Sequence, residues 1–284
     1  MKILVTGYTG QLGYDVAQYG LKQGFEMIGV GSKDLDITNE ENVLKFVKET
    51  NPDAIIHCAA YTAVDKAEDD KETCWNVNVI GTKNLVNAAK KINAKFMYIS
   101  TDYVFNGKGE IPFTESDKPD PIGYYGLTKF EGEKVVQNLL EKWFIVRISW
   151  VFGINGNNFV KTMLKLAENR NELNVVNDQI GSPTYTFDLA SLLIEMVQTN
   201  KYGTYHVSNE GYCSWAEFAK EIFKLAGKNV KVNPITTEEY PTRAVRPKNS
   251  RMSKHKLIEN GFTPLPNWQD ALTRFLKELQ QEVK

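Results

Sequence analysis

The sequence has few cysteines and no long hydrophobic run. Its three cysteines, Cys58, Cys74 and Cys213, are odd in number and widely spaced, which argues against a disulfide framework and favours reduced thiols in a cytoplasm. No run of about 18 apolar residues is present, so we expect no membrane-spanning helix and no membrane partner. The strand-like start "MKILVTG" leaves no room for a signal peptide. We therefore expect a cytoplasmic protein.

The sequence also lacks an excess of charge of either sign. Its 34 Lys and Arg residues nearly balance its 35 Asp and Glu residues, so no general attraction to nucleic acid or to anionic lipid is expected. The 284 residues can bury one large core, or the core of a main domain with a smaller companion. We therefore expect no nucleic-acid partner.

Short apolar runs alternate with helical patterns in the first half of the chain. Five runs are apolar on both faces, as buried parallel strands are; they cover 2–6, 26–30, 54–58, 96–100 and 143–149. Helical spacing is found between them at about 11–23, 40–50, 66–91 and 124–141. This alternation predicts an α/β fold with a doubly wound parallel sheet of the Rossmann type.

From about residue 150 the pattern changes to helices with short strands. The expected helices cover 157–169, 186–198, 214–226 and 266–282, the short strands lie near 174–177 and 204–207, and a loop-rich stretch covers 233–250. The profile is that of a smaller α+β lobe laid across the end of the sheet. We expect the main domain at 1–150, with 173–210 returning to it, and the smaller lobe at 151–284.

Three glycines follow the first predicted strand at intervals of three residues. Gly7, Gly10 and Gly13 lie in "VTGYTGQLG", at a junction between a strand and a helix. Glycine at such a junction permits a tight turn and lets the backbone and the helix N–H groups approach a pyrophosphate. The spacing also occurs in ordinary turns, so it is the place in the chain that favours a dinucleotide site.

The second predicted strand lacks the acidic residue that usually holds the ribose 2′-hydroxyl of NAD. It ends at Val30 and Gly31, and the following Ser32 and Lys33 could accept a 2′-phosphate instead. NADPH is therefore favoured as the cofactor, with NADH as the alternative. Asp36 would lie nearer the adenosine, or would simply begin a turn.

The segment "YYGLTK" places two tyrosines ahead of a lysine. Residues four apart share a helix face, so Tyr125 is stacked with Lys129, whereas Tyr124 is stacked with Thr128. A phenol has an unperturbed pKa of about 10, and a nearby ammonium lowers that pKa and suits the phenol to proton transfer. Tyr125 is thus a candidate proton donor, although about one such spacing is expected by chance in a chain of this composition.

Hydroxyl residues end the fourth predicted strand, where Ser100 and Thr101 could hydrogen-bond a substrate carbonyl or cap a turn.

The glycine turn, this strand end and "YGLTK" occur in the order and at the approximate spacings of the extended short-chain dehydrogenase/reductase family, which the chain resembles. Longer segments, such as "CAAYTAVDKAE", "STDYVFNG", "RISWVFG" and "YHVSNEGYCSWAEFA", are similar to those of that family's reductases of nucleotide-linked keto sugars. The resemblance covers nearly the whole chain and is weakest at about 228–284.

The resemblance implies an oxidoreductase whose Rossmann domain binds NADP(H) and whose smaller lobe binds a nucleotide sugar. Tyr125 would donate the proton, Lys129 would be its electrostatic partner and cofactor clamp, and Thr101 would orient the keto group. Cofactor contacts would come from Gly7, Gly10, Gln11, Leu12, Asp36, Ile37, Ala60, Tyr61 and Thr62, besides Tyr125 and Lys129. Substrate contacts would come from Val64, Thr101, Asp102, Trp150, Asn158 and Arg246.

Three of these residues also have a structural interpretation. Trp150 could belong to the core, Asn158 could cap the helix that it begins, and Arg246 could be surface charge. Three of the six arginines nevertheless lie at 243–251, and a cluster of guanidinium groups suits a diphosphate.

Other functions on the same fold are a reductase of another nucleotide-linked keto sugar, a sugar-nucleotide 4,6-dehydratase and a non-catalytic NADP-binding regulatory subunit. A dehydratase would carry an Asp-Glu pair after the threonine, whereas Asp102 is followed by Tyr103. The presence of Tyr125 and Lys129 argues against a loss of chemistry. The resemblance also suggests a homodimer, at whose contact some relatives bind Mg²⁺ through acidic residues. Asp15 stands where such a relative can carry a glutamate, and one acid does not predict a metal site.

Overall fold

The structure, a computed structural model that describes residues 1–282, alternates strands and helices along its first half. The strands are β1 (Lys2–Thr6), β2 (Glu26–Val30), β3 (Ala54–His57), β4 (Lys95–Thr101), β5 (Trp143–Ile148), β6 (Val151–Phe152), β7 (Glu172–Val176), β8 (Ile180–Gly181), β9 (Thr184–Tyr185), β10 (Gly203–His206), β11 (Asn209–Glu210), β12 (Cys213–Ser214), β13 (Lys231–Ile235) and β14 (Leu265–Asn267). The helices are α1 (Gln11–Lys22), α2 (Glu40–Thr50), α3 (Val64–Ala67), α4 (Lys71–Trp75), α5 (Thr82–Ile92), α6 (Tyr124–Leu139), α7 (Phe159–Leu166), α8 (Thr186–Gln198), α9 (Trp215–Leu225), α10 (His255–Glu259) and α11 (Trp268–Glu282). A π-helical stretch (Asn76–Gly81) joins α4 to α5, and a 3-10 turn (Asp102–Val104) follows β4.

Six parallel strands form the central sheet in the order β10-β5-β4-β3-β1-β2. Successive residues of β1 supply different cores: Ile3 and Val5 pack with α1 and α8, whereas Leu4 packs with α2, α5 and α6. Helices therefore cover both faces, which is why the strands are apolar throughout. The doubly wound parallel sheet predicted from the sequence is confirmed.

The strand order reverses direction at the centre of this sheet. From β1 the chain moves to β2 at one edge and then to β3 on the other side of β1. The connections after β1 and β3 consequently diverge, and ligands of open α/β sheets bind in the crevice at such a switch point. Gly7 and Ala59 follow the two strands and border this crevice.

Most of the chain after residue 150 forms a second lobe around an aromatic core. Phe152 packs edge-on against Phe275 and tilted against Phe218, and two-stranded sheets pair β7 with β13 and β6 with β9. Two elements from this part of the chain lie with the first half: β10 joins the central sheet beside β5, and α8 packs against α1.

Two predicted boundaries differ from the structure. The helix expected at 66–91 is interrupted between α3 and α4, where Asp70 leaves the helical conformation and accepts a hydrogen bond from the Tyr61 hydroxyl at 3.3 Å. The stretch expected to be loop-rich at 233–250 begins inside β13, which tolerates Pro234 because this strand pairs on one side only. Among the helices of residues 1–282, none is long and apolar enough to cross a membrane.

Candidate active site

A cavity of about 830 Å³ lies at the carboxyl edge of the sheet, between the ends of β1, β3 and β4 and the second lobe. It is lined by most of the residues that the sequence analysis singled out: Gly7, Gly10, Gln11, Leu12, Asp36, Ile37, Ala60, Tyr61, Thr62, Val64, Thr101, Asp102, Tyr125, Lys129 and Trp150. Asn158 and Arg246 do not belong to this lining. The fold thus brings together residues that are spread over almost 150 positions of the chain.

The glycine turn leaves no room for side chains where the backbone approaches the cavity. Gly7 has a φ of +72°, and a Cβ on it would lie 2.6 Å from the backbone nitrogen of Ala59. A Cβ on Gly13 would lie 2.3 Å from the carbonyl oxygen of Gly7. Helix α1 starts directly after Gly10, with no side-chain cap and no acidic residue in its first turn. Its N–H groups can therefore bind an anion such as a pyrophosphate.

The loop after β2 forms the far end of the cavity. Asp36 lines it, and its Oδ1 also accepts hydrogen bonds from the backbone nitrogen and the hydroxyl of Thr38, at 2.9 Å and 2.7 Å. The sequence analysis gave the start of a turn as the alternative role of Asp36, and the structure shows that turn. Ser32 lines the cavity as well, whereas Lys33 is exposed and lies outside the lining. Of the two residues considered for a 2′-phosphate, only Ser32 therefore faces the cavity.

Tyr125 and Lys129 lie on the cavity side of α6, whereas Tyr124 does not line the cavity. The ring of Tyr125 packs edge-on against Tyr103, with centroids 5.6 Å apart. The Nζ atom of Lys129 lies 4.0 Å from the ring centroid of Tyr98 on β4, and the side chain is buried. Of the two tyrosines, the one that the i, i+4 spacing favoured, Tyr125, therefore lines the cavity.

The expectation that Lys129 makes Tyr125 more acidic is wrong for this structure. Burial raises the pKa of Tyr125, the charge of Asp102 raises it further, and a hydrogen bond with Thr101 acts in the opposite direction. Burial also lowers the pKa of Lys129 to about 7, against the effect of Glu133. Lys129 is not among the groups that shift the pKa of Tyr125, so the lowering that the sequence suggested is not seen. Tyr125 is accordingly protonated at neutral pH.

The end of β4 places polar atoms without partners in the cavity wall. The Thr101 hydroxyl donates to Asp102 Oδ1 at 3.0 Å. Asp102 Oδ2 and Ser100 Oγ are buried, and neither has a hydrogen-bond partner within residues 1–282. Burial raises the pKa of Asp102 to about 6, partly offset by the nearby hydroxyls of Ser250 and Thr101. Buried polar atoms are normally paired, so these two indicate where a polar ligand binds.

Aromatic side chains that the sequence analysis did not assign to the site also line the cavity. They are Tyr103, Phe159, Trp215 and Phe218, and Trp150 lies beside them. Trp215 is the first residue of α9, which starts at a capping box made by Ser214 and Glu217. That S-x-x-E pattern is visible in the sequence, and it could have located an aromatic residue at a helix start.

Asn158 and Arg246 bind other protein groups in this structure. Asn158 caps α7 by accepting from the backbone nitrogen of Lys161 at 3.0 Å, and its Nδ2 donates to Gln11 Oε1 at 3.0 Å. Arg246 forms an ion pair with Asp65 and donates to the Tyr103 hydroxyl at 3.2 Å. Each of the two therefore contacts a residue of the cavity wall.

A metal site is not evident in the described part of the chain. Within residues 1–282 no group of three or more His, Cys, Asp or Glu side chains is arranged to hold a metal ion. Asp15, at the position considered for Mg²⁺, is buried and accepts a hydrogen bond from the Thr186 hydroxyl.

Comparisons with known proteins identify the family of this chain. A family model described as the RmlD substrate binding domain matches residues 1–281. The dTDP-4-dehydrorhamnose reductase of Aggregatibacter actinomycetemcomitans is 44% identical over 285 residues, which cover 95% of this chain and 97% of that protein. The crystal structure of a dTDP-4-dehydrorhamnose reductase from Clostridium acetobutylicum has a TM-score of 0.96 and 45% identity, covering 99% of this chain and 100% of that one. A Bacillus anthracis dTDP-4-dehydrorhamnose reductase in complex with NADP has a TM-score of 0.95 and 46% identity, covering 98% and 99%.

Proposed function

This chain belongs to the family of the RmlD substrate binding domain, and we infer from that membership and from its cavity that it is an NADPH-dependent oxidoreductase. It reduces the 4-keto group of dTDP-4-dehydro-L-rhamnose and gives dTDP-L-rhamnose. The observation that carries this function is one cavity that joins the glycine turn after β1 to Tyr125 and Lys129. The resemblance to reductases of nucleotide-linked keto sugars is confirmed by these relatives.

The residues of the cavity fit a nicotinamide dinucleotide. Gly7 and Gly13 keep the turn free of side chains, and the uncapped start of α1 offers N–H groups to the pyrophosphate. When bound, the cofactor supplies the hydride for the keto carbon. In our proposal the cofactor is held by Gly7, Gly10, Gln11, Leu12, Asp36, Ile37, Ala60, Tyr61, Thr62, Tyr125 and Lys129.

Tyr125 is the proposed proton donor to the keto oxygen. Its raised pKa keeps the phenol protonated at neutral pH, so the proton is present when the substrate binds. Thr101 would orient the keto oxygen, because its hydroxyl lies at the end of β4 in the same wall. Lys129, while charged, would stabilise the phenolate that proton transfer leaves behind.

The sugar nucleotide would lie against the residues between β4 and the second lobe. Val64, Asp102 and Trp150 line that part of the cavity, and the unpaired Oδ2 of Asp102 can accept a hydrogen bond from a sugar hydroxyl. Arg246 would bind the diphosphate by exchanging its partner Asp65 for a phosphate oxygen. Asn158 would act through Gln11, whose side chain it holds.

A direct assay tests this function. The purified protein is mixed with dTDP-, UDP- or GDP-linked 4-keto sugars and with NADPH or NADH, and the loss of absorbance of the reduced cofactor is followed. We expect the fastest turnover with dTDP-4-dehydro-L-rhamnose and NADPH. Turnover with another nucleotide alone would make it a reductase of a different keto sugar. NADPH binding without any turnover would make the chain a regulatory subunit.

We propose the same division of labour between the parts of the chain that the sequence suggested. Residues 1–150, with 173–210 returning to them, would bind NADP(H); within 173–210, β10 supports this by its position in the central sheet. Residues 151–284 would supply most of the contacts to the nucleotide sugar. Crystals soaked with NADPH alone, and with NADPH and product, would test this assignment. Difference density should place the cofactor against the first domain and the nucleotide sugar mostly against the second lobe.

We also propose a cytoplasmic homodimer. The three free cysteines suit a reducing compartment, and the segments at 66–91 and 124–141 would form the dimer face. Light scattering during size-exclusion chromatography should give twice the chain mass of 32.2 kDa. A monomer at assay concentration would contradict the dimer, and recovery of the native protein from a secreted fraction would contradict the compartment.

A further inference from the structure

A buried ion pair, Glu133 with Arg147, lies one helical turn from Lys129. Glu133 follows Lys129 by one helical turn on α6 and is completely buried. Its carboxylate accepts two hydrogen bonds from Arg147 on β5, from Nε to Oε1 at 2.8 Å and from Nη2 to Oε2 at 2.7 Å. Arg147 also lies 3.4 Å from His206 Nε2 through its Nη1 atom. None of these three residues lines the cavity or has a role in the reaction described above.

The central sheet fixes this arrangement. Arg147 pairs in register with Ser100 on β4 and with His206 on β10, so its position relative to the reacting end is set by backbone hydrogen bonds. Its guanidinium also lies 5.1 Å from the ring centroid of Phe105. A bidentate guanidinium–carboxylate pair holds both partners in one orientation. Glu133 is therefore held at a fixed position one helical turn from Lys129, where its negative charge acts in a buried site and the charge of Arg147 opposes part of its effect.

Glu133 is the carboxylate that acts on Lys129 among residues 1–282. Asp102, on the 3-10 turn packed against α6, acts on Tyr125 instead. Burial keeps the remaining neighbours neutral near pH 7, because it raises the pKa of phenols and thiols and lowers that of imidazole. These neighbours are His57 with a pKa lowered to about 3, Cys58 with a pKa raised to about 12, and Cys74, Tyr98 and Tyr125 with raised pKa values.

We propose that Glu133, held in place by Arg147, is a positioning residue that keeps Lys129 protonated at the pH at which the enzyme works. Burial lowers the pKa of Lys129 to about 7, and Glu133 opposes that effect. Without this carboxylate the amine would lose its proton in neutral solution. The phenolate of Tyr125 would then lack a cation, and the cofactor ribose would lack a charged donor. The kinetic part of this inference rests on the proposed function, whereas the protonation of Lys129 does not.

Two variants separate the charge of Glu133 from its structural contribution. Glu133→Gln keeps the size of the side chain and removes its charge, but it leaves Arg147 buried without a counter-ion and can destabilise the fold. The double variant Glu133→Gln/Arg147→Met removes both charges and fills the space of the arginine stem. Asp188→Asn is the matched control, because Asp188 forms a similar bidentate pair with Arg274, at 2.6 Å and 2.7 Å, outside the cavity lining.

The decisive measurement is the titration of Lys129 in the full chain without ligands. Carbon-13 NMR of Cε-labelled lysine follows the titration, and the Lys129 signal is assigned by its loss in Lys129→Met. We expect the midpoint to fall by about one pH unit or more in Glu133→Gln, to fall by less in the double variant, which also removes the opposing charge of Arg147, and to stay unchanged in Asp188→Asn. An unchanged midpoint in every Glu133 variant that folds would overturn the proposal.

The pH profile of turnover provides the second readout. Activity that needs charged Lys129 is present below the pKa of this residue and is lost as the pH rises through it. The descending limb of kcat/KM for NADPH, which reports ionisations of the free enzyme, should therefore move to lower pH in the Glu133 variants, in each by the same amount as the NMR midpoint. A limb that stays in place while the NMR midpoint moves would refute the kinetic part. If the NMR midpoint moves but the wild-type protein reduces no keto sugar, the electrostatic inference stands and the proposed function fails.

Discussion

The indole of Trp150 stacks on that of Trp215, with ring centroids 3.6 Å apart and planes inclined by 12°. Trp150 follows β5 with a φ of 49°, which is uncommon for a residue other than glycine. Gly181 makes space for it, since a Cβ at that position would lie 2.7 Å from the indole. Trp215 belongs to α9 of the second lobe. The stack therefore joins the end of the sheet to the second lobe within the cavity wall, and backbone strain of this kind is often kept at functional sites.

Trp215→Ala should weaken binding of the sugar nucleotide more than it slows turnover. The variant removes an aromatic face from the wall and leaves Trp150 without its partner. We expect KM for the sugar nucleotide to rise about 10-fold, which corresponds to ~1.4 kcal/mol, with a smaller change in kcat. Trp143→Ala is the control, because Trp143 is also partly exposed and lies outside the cavity lining. Equal KM values for the two variants would remove Trp215 from the substrate site.

Tyr125→Phe should abolish most turnover and preserve cofactor binding. The variant keeps the ring that packs on Tyr103 and removes the transferable proton. A general acid contributes about 10² to 10⁴-fold, so kcat should fall within that range while the Kd for NADPH, measured by fluorescence, changes little. Tyr124→Phe alters the adjacent ring, which lies outside the lining with Lys71 Nζ at 5.3 Å from its centroid, and should keep full activity. A Tyr125→Phe enzyme with most of its activity would refute the assignment.

The glycine turn could be predicted because it depends on local sequence. The same is true of the sheet: each residue from Ile3 to Val5 is buried, and a run that is apolar on both faces shows this directly. Helical spacing also determined that Tyr125, rather than Tyr124, faces the cavity. These features need only the period of a strand or helix and its place in the chain.

The electrostatics of the site could not be predicted from local sequence. Tyr98, on which the ammonium of Lys129 rests, comes from another element, and the sequence does not show that both groups are buried. The sign of the pKa shift of Tyr125 depends on that burial. Arg246 is similar, because its partner Asp65 lies far away in the chain. Contacts between distant segments decide which of two opposing effects is larger.

Gly13→Ala should reduce cofactor affinity far more than Gly10→Ala. A methyl group on Gly13 would lie 2.3 Å from the carbonyl oxygen of Gly7, so the turn after β1 would have to move. A methyl group on Gly10 would lie 3.2 Å from the same oxygen, and a small shift can relieve that contact. We expect the Kd for NADPH to rise at least about 10-fold in Gly13→Ala and only slightly in Gly10→Ala. Equal affinities would mean that the turn does not hold the cofactor.

Asp102→Asn should stabilise the protein at neutral pH and have much less effect in acid. Burial raises the pKa of Asp102 from 3.8 to about 6. A carboxyl whose pKa is higher in the native state penalises folding once it ionises, so the penalty is absent below about pH 4 and complete above about pH 6. Roughly two pKa units correspond to about 3 kcal/mol. Urea unfolding at about pH 4 and about pH 7 should therefore show a gain in the free energy of unfolding at the higher pH alone. Activity should be lost as well, because Asp102 lines the cavity and is a proposed substrate contact. Asp120→Asn, on the exposed surface, provides the control. An equal gain in the free energy of unfolding at both pH values would show that the ionised Asp102 does not destabilise the native state. The stabilisation would then come from packing.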